Sequence, residues 1–248
     1  VKQLVSQGLS VYRVDAELLQ ELEPSVILTQ DQCEVCAASP RDIEAALGTW
    51  LATPPRVVSL SPSTLEDVWN DIRRVARVLA APQRGEDVTA AINQRIAEIS
   101  KRVGGRADLP TVACIEWIDP LMAAGNWIPE LVTLAGGRPV VGEVGTDSPW
   151  LDWEELHAVD PDVIIVMPCG FDLDRTGREL EPLRANPKWT GLRAVGEGRV
   201  YLTDGSQYFN RPGPRLIDSL EILSQILHPD DFPASRPSSG WKRLAQGS

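Results

Sequence analysis

Asp152-Trp153-Glu154-Glu155-Leu156-His157-Ala158-Val159-Asp160-Pro161-Asp162-Val163-Ile164-Ile165 decides the fold, because Asp15-Ala16-Glu17-Leu18-Leu19-Gln20-Glu21-Leu22-Glu23-Pro24-Ser25-Val26-Ile27-Leu28 repeats its pattern at an ungapped offset of 137 residues. Each copy opens on an Asp able to accept a backbone N–H at a helix N-terminus. About two helical turns follow, a Pro stops the helix, and a β-branched run then reads as a buried strand. Both copies therefore predict helix, turn and strand.

Downstream the parallel continues. Arg56-Val57-Val58-Ser59-Leu60 and Arg199-Val200-Tyr201-Leu202-Thr203 each predict a short strand followed by a helix. The first helix is read with Ser63 and Glu66 as its capping box and Leu65, Val68, Ile72, Val75 and Leu79 on one face. The second carries Pro214 in its first turn and Leu216, Leu220, Leu223 and Leu227 on one face. Alternating strands and helices in both halves predict an α/β fold of two Rossmann-like lobes with parallel sheets. Between them, Glu86 to Val103 places Val88, Ile92, Ile96, Ile99 and Val103 at helical spacing before Gly104-Gly105. At 1.5 Å per residue this is one helix of about 27 Å. Two lobes joined by one long helix leave a ligand cleft between them.

The expected organisation is an N-terminal α/β lobe over residues 1–82, a linker helix over 83–108, a C-terminal α/β lobe over 109–229 and a tail over 230–248. Lobe 2 has an extra strand, Thr111 to Trp117, and an extra helix, Ile128 to Ala135, ahead of its repeat copy. Their counterparts in lobe 1 would precede Val1, so lobe 1 is read as truncated by about 25 residues or more relative to its ancestral form.

Composition narrows the function. With 24 Lys and Arg against 35 Asp and Glu in 248 residues, the net charge of −11 works against binding phosphate backbones, so nucleic acid is not an expected partner. The longest apolar run, Val163 to Met167, is far short of a bilayer span of about 20 residues. The first residues carry neither an initiator Met nor a signal-peptide pattern, which leaves a cytoplasmic location open. Four cysteines are too few for a disulfide scaffold, whereas eight Trp against three Phe and three Tyr point to a core or a wet-edged binding cleft rich in large rings.

Ligands of open parallel sheets bind beyond the carboxyl ends of the strands. There, Trp117, Phe171, Tyr208 and Phe209, joined by Trp150, are expected to line one mouth with flat apolar surface. Gln30, Asp31, Asp119, Asn210 and Arg211 supply directed polar groups, and Cys33 follows Gln30 and Asp31 after the first-lobe strand. This mixture suits a large, partly flat ligand with polar edges. Trp69 falls on a buried helix face, Trp241 lies in the Pro/Ser-rich tail, and Trp50, Trp127 and Trp189 have no assignment.

Cys33-Glu34-Val35-Cys36 is a C-x-x-C in a context that allows redox chemistry, a local disulfide or plain packing, while Cys169 falls on the opposing lip. No zinc site is expected, because only His157 and His228 are available to complete one and both sit in helices. No catalytic motif is present, and Asp31, Glu116, Asp119 and Asp204 read better as loop charge than as general bases. No catalytic residue and no cofactor are assigned.

Four segments carry a family resemblance: Leu22 to Cys36, Ile115-Glu116-Trp117-Ile118-Asp119-Pro120, Asp160 to Ile165, and Tyr208-Phe209-Asn210-Arg211-Pro212-Gly213-Pro214-Arg215. With the intervening long helix they resemble the substrate-binding proteins of ABC transporters for cobalamin, haem and iron-siderophores, most closely the cobalamin-binding branch. The resemblance spans about residues 9 to 229. It implies a periplasmic or extracytoplasmic, monomeric, non-enzymatic protein with a corrinoid or other metal chelate as cargo. A transporter permease is the implied partner, docked through acidic residues on both lobes. A ferric-siderophore or haem carrier is the alternative of the same class. A two-lobed tetrapyrrole or metal enzyme, such as a chelatase or nitrogenase-related reductase, is the alternative from another.

Overall fold

The computed structural model describes residues 14–31, 43, 55–233 and 240–245. These divide into two compact units, one within residues 1–62 together with 70–85, the other comprising 63–69 and the described residues from 86 onward.

In the first unit, α1 (Ala16–Leu22) starts on Asp15, whose Oδ1 accepts the Leu18 N–H at 3.0 Å. It ends on Glu23 in the left-handed region, φ 42°. Pro24 and Ser25 lead into β1 (Val26–Gln30), which pairs in parallel with β2 (Arg56–Leu60). The second unit repeats the construction. There α5 (Trp153–Val159) starts on Asp152, whose Oδ1 accepts the Glu155 N–H at 2.7 Å, and ends on Asp160 at φ 36°. The predicted repeat thus extends to matching caps at both ends of both helices.

Two helices depart from the expected detail. In α2 (Leu65–Val78) the cap is Thr64, one residue beyond Ser63. The Thr64 amide and hydroxyl donate to Asp67 Oδ2 at 2.9 and 2.8 Å, and the Asp67 N–H returns to Thr64 Oγ1 at 3.2 Å. Asp completes this reciprocal box in place of Glu66, and the Thr64 hydroxyl bond is the main cause holding the Asp67 carboxyl below its usual range. The long helix, α3 (Pro82–Val103), begins four residues before Glu86 and extends to about 33 Å. Its buried stripe runs Gly85, Thr89, Ile92, Ile99, Val103, so Thr89 occupies the place expected of Val88, which is 38% exposed. A side chain at Gly85 would meet Ala76 Cβ at 2.7 Å, and its absence lets α2 and α3 approach closely.

The second unit is built on a sheet of order β4-β3-β6-β7-β8. Its strands are β3 (Thr111–Trp117), β4 (Met122–Ala123), β6 (Val163–Val166), β7 (Val200–Thr203) and β8 (Trp241–Arg243), with β5 (Arg138–Pro139) pairing beside β3. The interior pairs β3–β6 and β6–β7 are parallel, as expected, but β4 and β8 run antiparallel at the two edges. The segment read as tail therefore contributes a strand. Trp241 packs edge-on against Tyr201, ring centroids 5.6 Å apart, and donates its indole N–H to Gln225 Oε1 at 3.1 Å.

All four residues of β6 are fully buried, because helices cover the sheet on both faces. Ala113, Ile115, Ile164, Val166 and Leu202 pack with Leu156 of α5, Leu183 of α7 (Glu181–Arg184), Trp189, Leu192 and Ala194 of α8 (Arg193–Gly196). Val112, Val132 of α4 (Ile128–Leu134) and Leu227 of α9 (Leu216–Leu227) close around Gly137 on the other face. Full burial of such side chains is worth about 1.5–3 kcal/mol each. Trp69, Trp127 and Trp189 all belong to the interior at 3–4% exposure.

The end of the sheet opposite the strand exits is pinned by Asp162. Its Oδ2 accepts the Thr111 N–H and hydroxyl, both at 2.7 Å, and Arg193 lies 2.9 Å from Oδ1. Partial burial opposes ionisation, but the Thr111 bonds, helped by Arg193 and Arg199, outweigh it and hold this carboxyl below its usual range.

Candidate functional site

The parallel strands β3, β6 and β7 end on one edge of the second unit, and the loops leaving them form the candidate site. The β7–α9 loop is held by its own hydrogen bonds. Asp204, 3% exposed, accepts the N–H groups of Ser206 and Gln207 at 3.0 and 2.8 Å and the Gln207 amide at 2.9 Å. Gly205 then passes so close to the end of β6 that a Cβ would enter the Pro168 carbonyl oxygen. Asn210 Nδ2 staples that contact, donating to Met167 O at 2.8 Å and Gly205 O at 3.2 Å. Arg211 Nε donates to Ser206 O at 2.6 Å, and the Ser206 N–H reaches Phe171 O at 3.0 Å.

Phe209 departs from its expected place in the ligand mouth. The ring is 0% exposed and the backbone sits at φ 63°. Its N–H donates to Ser219 Oγ at 3.0 Å, and its carbonyl accepts the Trp127 indole N–H at 2.7 Å. Phe209 is an anchor that fixes Asn210 and Arg211 at the surface, and the Asn210 amide nitrogen is likewise occupied in holding the loop. Tyr208, half-buried, turns its ring toward Gly240, where an added Cβ would lie 2.9 Å from Cε2.

At the β3 and β6 ends the rings do converge. Trp117 meets Phe171 edge to face at 5.5 Å and donates Nε1–H to Asp119 O at 3.0 Å, just before the cis Asp119–Pro120 bond. The Arg175 guanidinium, on the first turns of α6 (Leu173–Arg178), lies 3.7 Å over the Phe171 ring. Trp150 is 68% exposed beside β4, bridged to Met122. Gln30 and the exposed Asp31 end β1 in the first unit, where the Asp31 N–H donates to Leu60 O at 2.9 Å. Cys33 and Cys36 lie outside the described residues.

Four residues absent from the expected ligand set enter here: Glu116, Ser148, Cys169 and, over Phe171, Arg175. Glu116, near the end of β3, accepts the Ser148 hydroxyl at 2.6 Å, and Ser148 accepts the Gly125 N–H at 3.0 Å. Burial pushes the Glu116 carboxyl up, with the Ser148 bond opposing. Cys169 donates its N–H to Glu116 O at 3.3 Å, and its thiol is pushed up by surrounding protein and by Glu116, with Arg211 opposing. Arg175 had a readable signal, four residues after Phe171 on the next helix; Ser148 had none. No group of three His, Cys, Asp or Glu side chains among the described residues is arranged to hold a metal ion. His228 is interior, its Nε2 donating to Gly136 O at 3.0 Å. No helix among the described residues is long and apolar enough to cross a membrane.

This edge offers aromatic rings, two guanidinium groups and a half-buried carboxyl on loops held by their own hydrogen bonds, which suits binding. Comparison with known proteins points the same way. A family profile described as "periplasmic binding protein" matches residues 6–206. The vitamin B12-binding protein of Photorhabdus laumondii subsp. laumondii is 23% identical over 168 residues, 67% of this chain and 56% of that protein's length. A periplasmic heme binding protein from Pseudomonas aeruginosa superposes with a TM-score of 0.70 at 23% identity, covering 91% of this chain and 79% of that one. A possible iron-binding (periplasmic solute-binding) protein from Staphylococcus epidermidis gives 0.71 at 14% identity over 87% and 81%. At these identities the structural likenesses establish the fold.

Proposed function

The chain belongs to the periplasmic binding protein family, and on that premise we propose that it captures cobalamin or a related corrinoid outside the cytoplasm and hands it to an ABC transporter permease. The observation that carries this reading is the edge-to-face cluster of Trp117, Phe171 and Arg175 at the strand ends, with Arg211 on the neighbouring loop, an aromatic surface edged by cations. Such a surface packs on a macrocycle while its polar edge groups meet Arg211 and neighbouring backbone. The relative named for vitamin B12 supports the corrinoid choice. Nothing in the arrangement requires a bond to be made or broken, and the protein's task in this reading is capture and release. The net charge of −11 is compatible with an acidic docking surface.

One observation favours haem as a second reading. Arg175 and Arg211 are both cationic, and guanidinium pairs more strongly with the carboxylate edge of haem than with the amide edge of a corrinoid. The two readings separate in one titration. Cyanocobalamin, aquocobalamin, hemin and a ferric siderophore are mixed in turn with the purified chain and followed by absorbance and calorimetry. Saturable binding of a cobalamin tighter than hemin supports the corrinoid reading, and the reverse order replaces it with haem. Failure of all four to bind below about 10 μM, or about −7 kcal/mol, removes the carrier reading for this chain.

A further inference from the structure

Away from the strand-exit loops, the second unit carries an open pocket of about 440 Å³ between α6, α7 and the β7–β8 edge. Its floor is apolar, from Leu180, Leu202 and Leu244, and its rim brings together Arg178, Arg184, Lys242 and Arg243. Asp174 is the one acid among the described residues of the rim. No residue of the candidate ligand site lines it.

Four of the chain's 24 Lys and Arg thus surround one concavity in a protein of net charge −11. Arg243 is occupied, donating to the Glu197 and Gly198 carbonyl oxygens. The side chains of Arg178, Arg184 and Lys242 have no hydrogen-bond or ion-pair partner among the described residues, although acids outnumber bases over the chain. Lys242 reaches from β8 to α6, its Nζ lying 3.1 Å from where a Cβ of Gly177 would be. Gly177 sits inside α6, a position where glycine weakens a helix. Its lack of a side chain leaves room for the ammonium beside the pocket. Like charges held together without a partner repel one another, and a bound anion would remove that repulsion.

We propose that this pocket is a second binding site, for a phosphate-bearing anion held by Arg178, Arg184 and Lys242 over the leucine floor. Guanidinium groups match phosphate oxygens in pairs and the ammonium adds a point charge. The acidic remainder of the surface repels anions, so binding concentrates here. Phosphate of this kind comes from a soluble phosphorylated compound or from a phospholipid headgroup. The site stands independently of the cargo assigned above.

The test uses the full chain with three probes: inorganic pyrophosphate by calorimetry, and sedimentation with vesicles of phosphatidylcholine alone or of equal phosphatidylcholine and phosphatidylglycerol. Expected is saturable binding of pyrophosphate or of the anionic vesicles below about 1 mM, weakening as salt rises. Arg178→Gln with Lys242→Gln, both exposed positions, should weaken it at least about tenfold with an unchanged circular dichroism spectrum and unchanged hemin or cobalamin titration. Pyrophosphate binding without vesicle binding identifies a soluble ligand, and the converse a lipid. Binding by neither probe, equal binding to both vesicle types without pyrophosphate binding, or wild-type affinity in the double variant overturns the proposal.

Discussion

Replacing Phe209 by Ala distinguishes an anchoring ring from a ligand-contacting one. The ring is fully buried, while both backbone hydrogen bonds of residue 209, to Ser219 and from Trp127, survive truncation of the side chain. The loss is therefore confined to transfer and cavity costs, about 3–5 kcal/mol for a large aromatic. That is a large part of an ordinary domain stability of about 5–15 kcal/mol. The φ of 63° adds an internal control. Alanine at 209 keeps the left-handed strain and glycine relieves it, so Phe209→Gly should be more stable than Phe209→Ala by about 1 kcal/mol. Urea unfolding followed by far-ultraviolet circular dichroism measures both, with hemin and cyanocobalamin titrated under conditions where each variant remains folded. The expected result is a large stability loss, the stated order of the two variants, and ligand affinity within about threefold of wild type, under 1 kcal/mol. A stability loss below about 1 kcal/mol accompanied by a tenfold loss of affinity would refute the anchoring role and return Phe209 to the ligand surface.

Asp162→Ala should cost about 2–3 kcal/mol, since it strips a charged acceptor from the Thr111 amide and hydroxyl. Because this carboxyl titrates below its unfolded value, its stabilisation is present above about pH 4 and is lost as pH falls through the lowered folded value. Urea midpoints of wild type and variant should therefore converge in acid, and a constant gap would contradict the linkage. Glu116 has the opposite sign: its folded value is raised, so wild-type stability falls as pH rises from the unfolded value through the folded one. Glu116→Gln should flatten that decline, and an unchanged pH profile would show that Glu116 is not its source. Gly205→Ala forces a methyl against the Pro168 carbonyl, so a loss of about 1–3 kcal/mol and weakened ligand binding are expected; calorimetry showing wild-type values for both would count against the close approach.

What the chain discloses without coordinates is local chemistry at fixed spacing. Asp15 and Asp152 were readable as caps because an N-cap acts on its own next three residues. The strands β1, β3 and β6 were readable because β-branched runs shortly after a Pro have few other uses. Choices between adjacent residues were harder. Thr64 and Ser63 are equally good caps by type, and the frame was set by where Leu65 and Val68 had to face. Phe209 looked like site because it stands in a loop beyond a strand, yet its backbone is tied to Ser219 on the following helix and to Trp127, 82 positions away. The Glu116–Ser148 pair and the strand role of Trp241 were hidden for the same reason: each is made by residues more than 30 positions apart.

That last pairing has a consequence in time. Residues 241–243 fill the outer edge of the sheet beside β7, and the Gly240 carbonyl accepts the Asp204 N–H at 2.9 Å, at the root of the loop bearing Asn210 and Arg211. A polypeptide is made from its amino end, so every other strand of this sheet is available before the one that completes it. The bond at the root of the loop is made only once Gly240 is in place, 27 positions after Gly213. A chain halted before Gly240 would leave the Asp204 N–H without this acceptor and the outer edge of β7 without its partner strand.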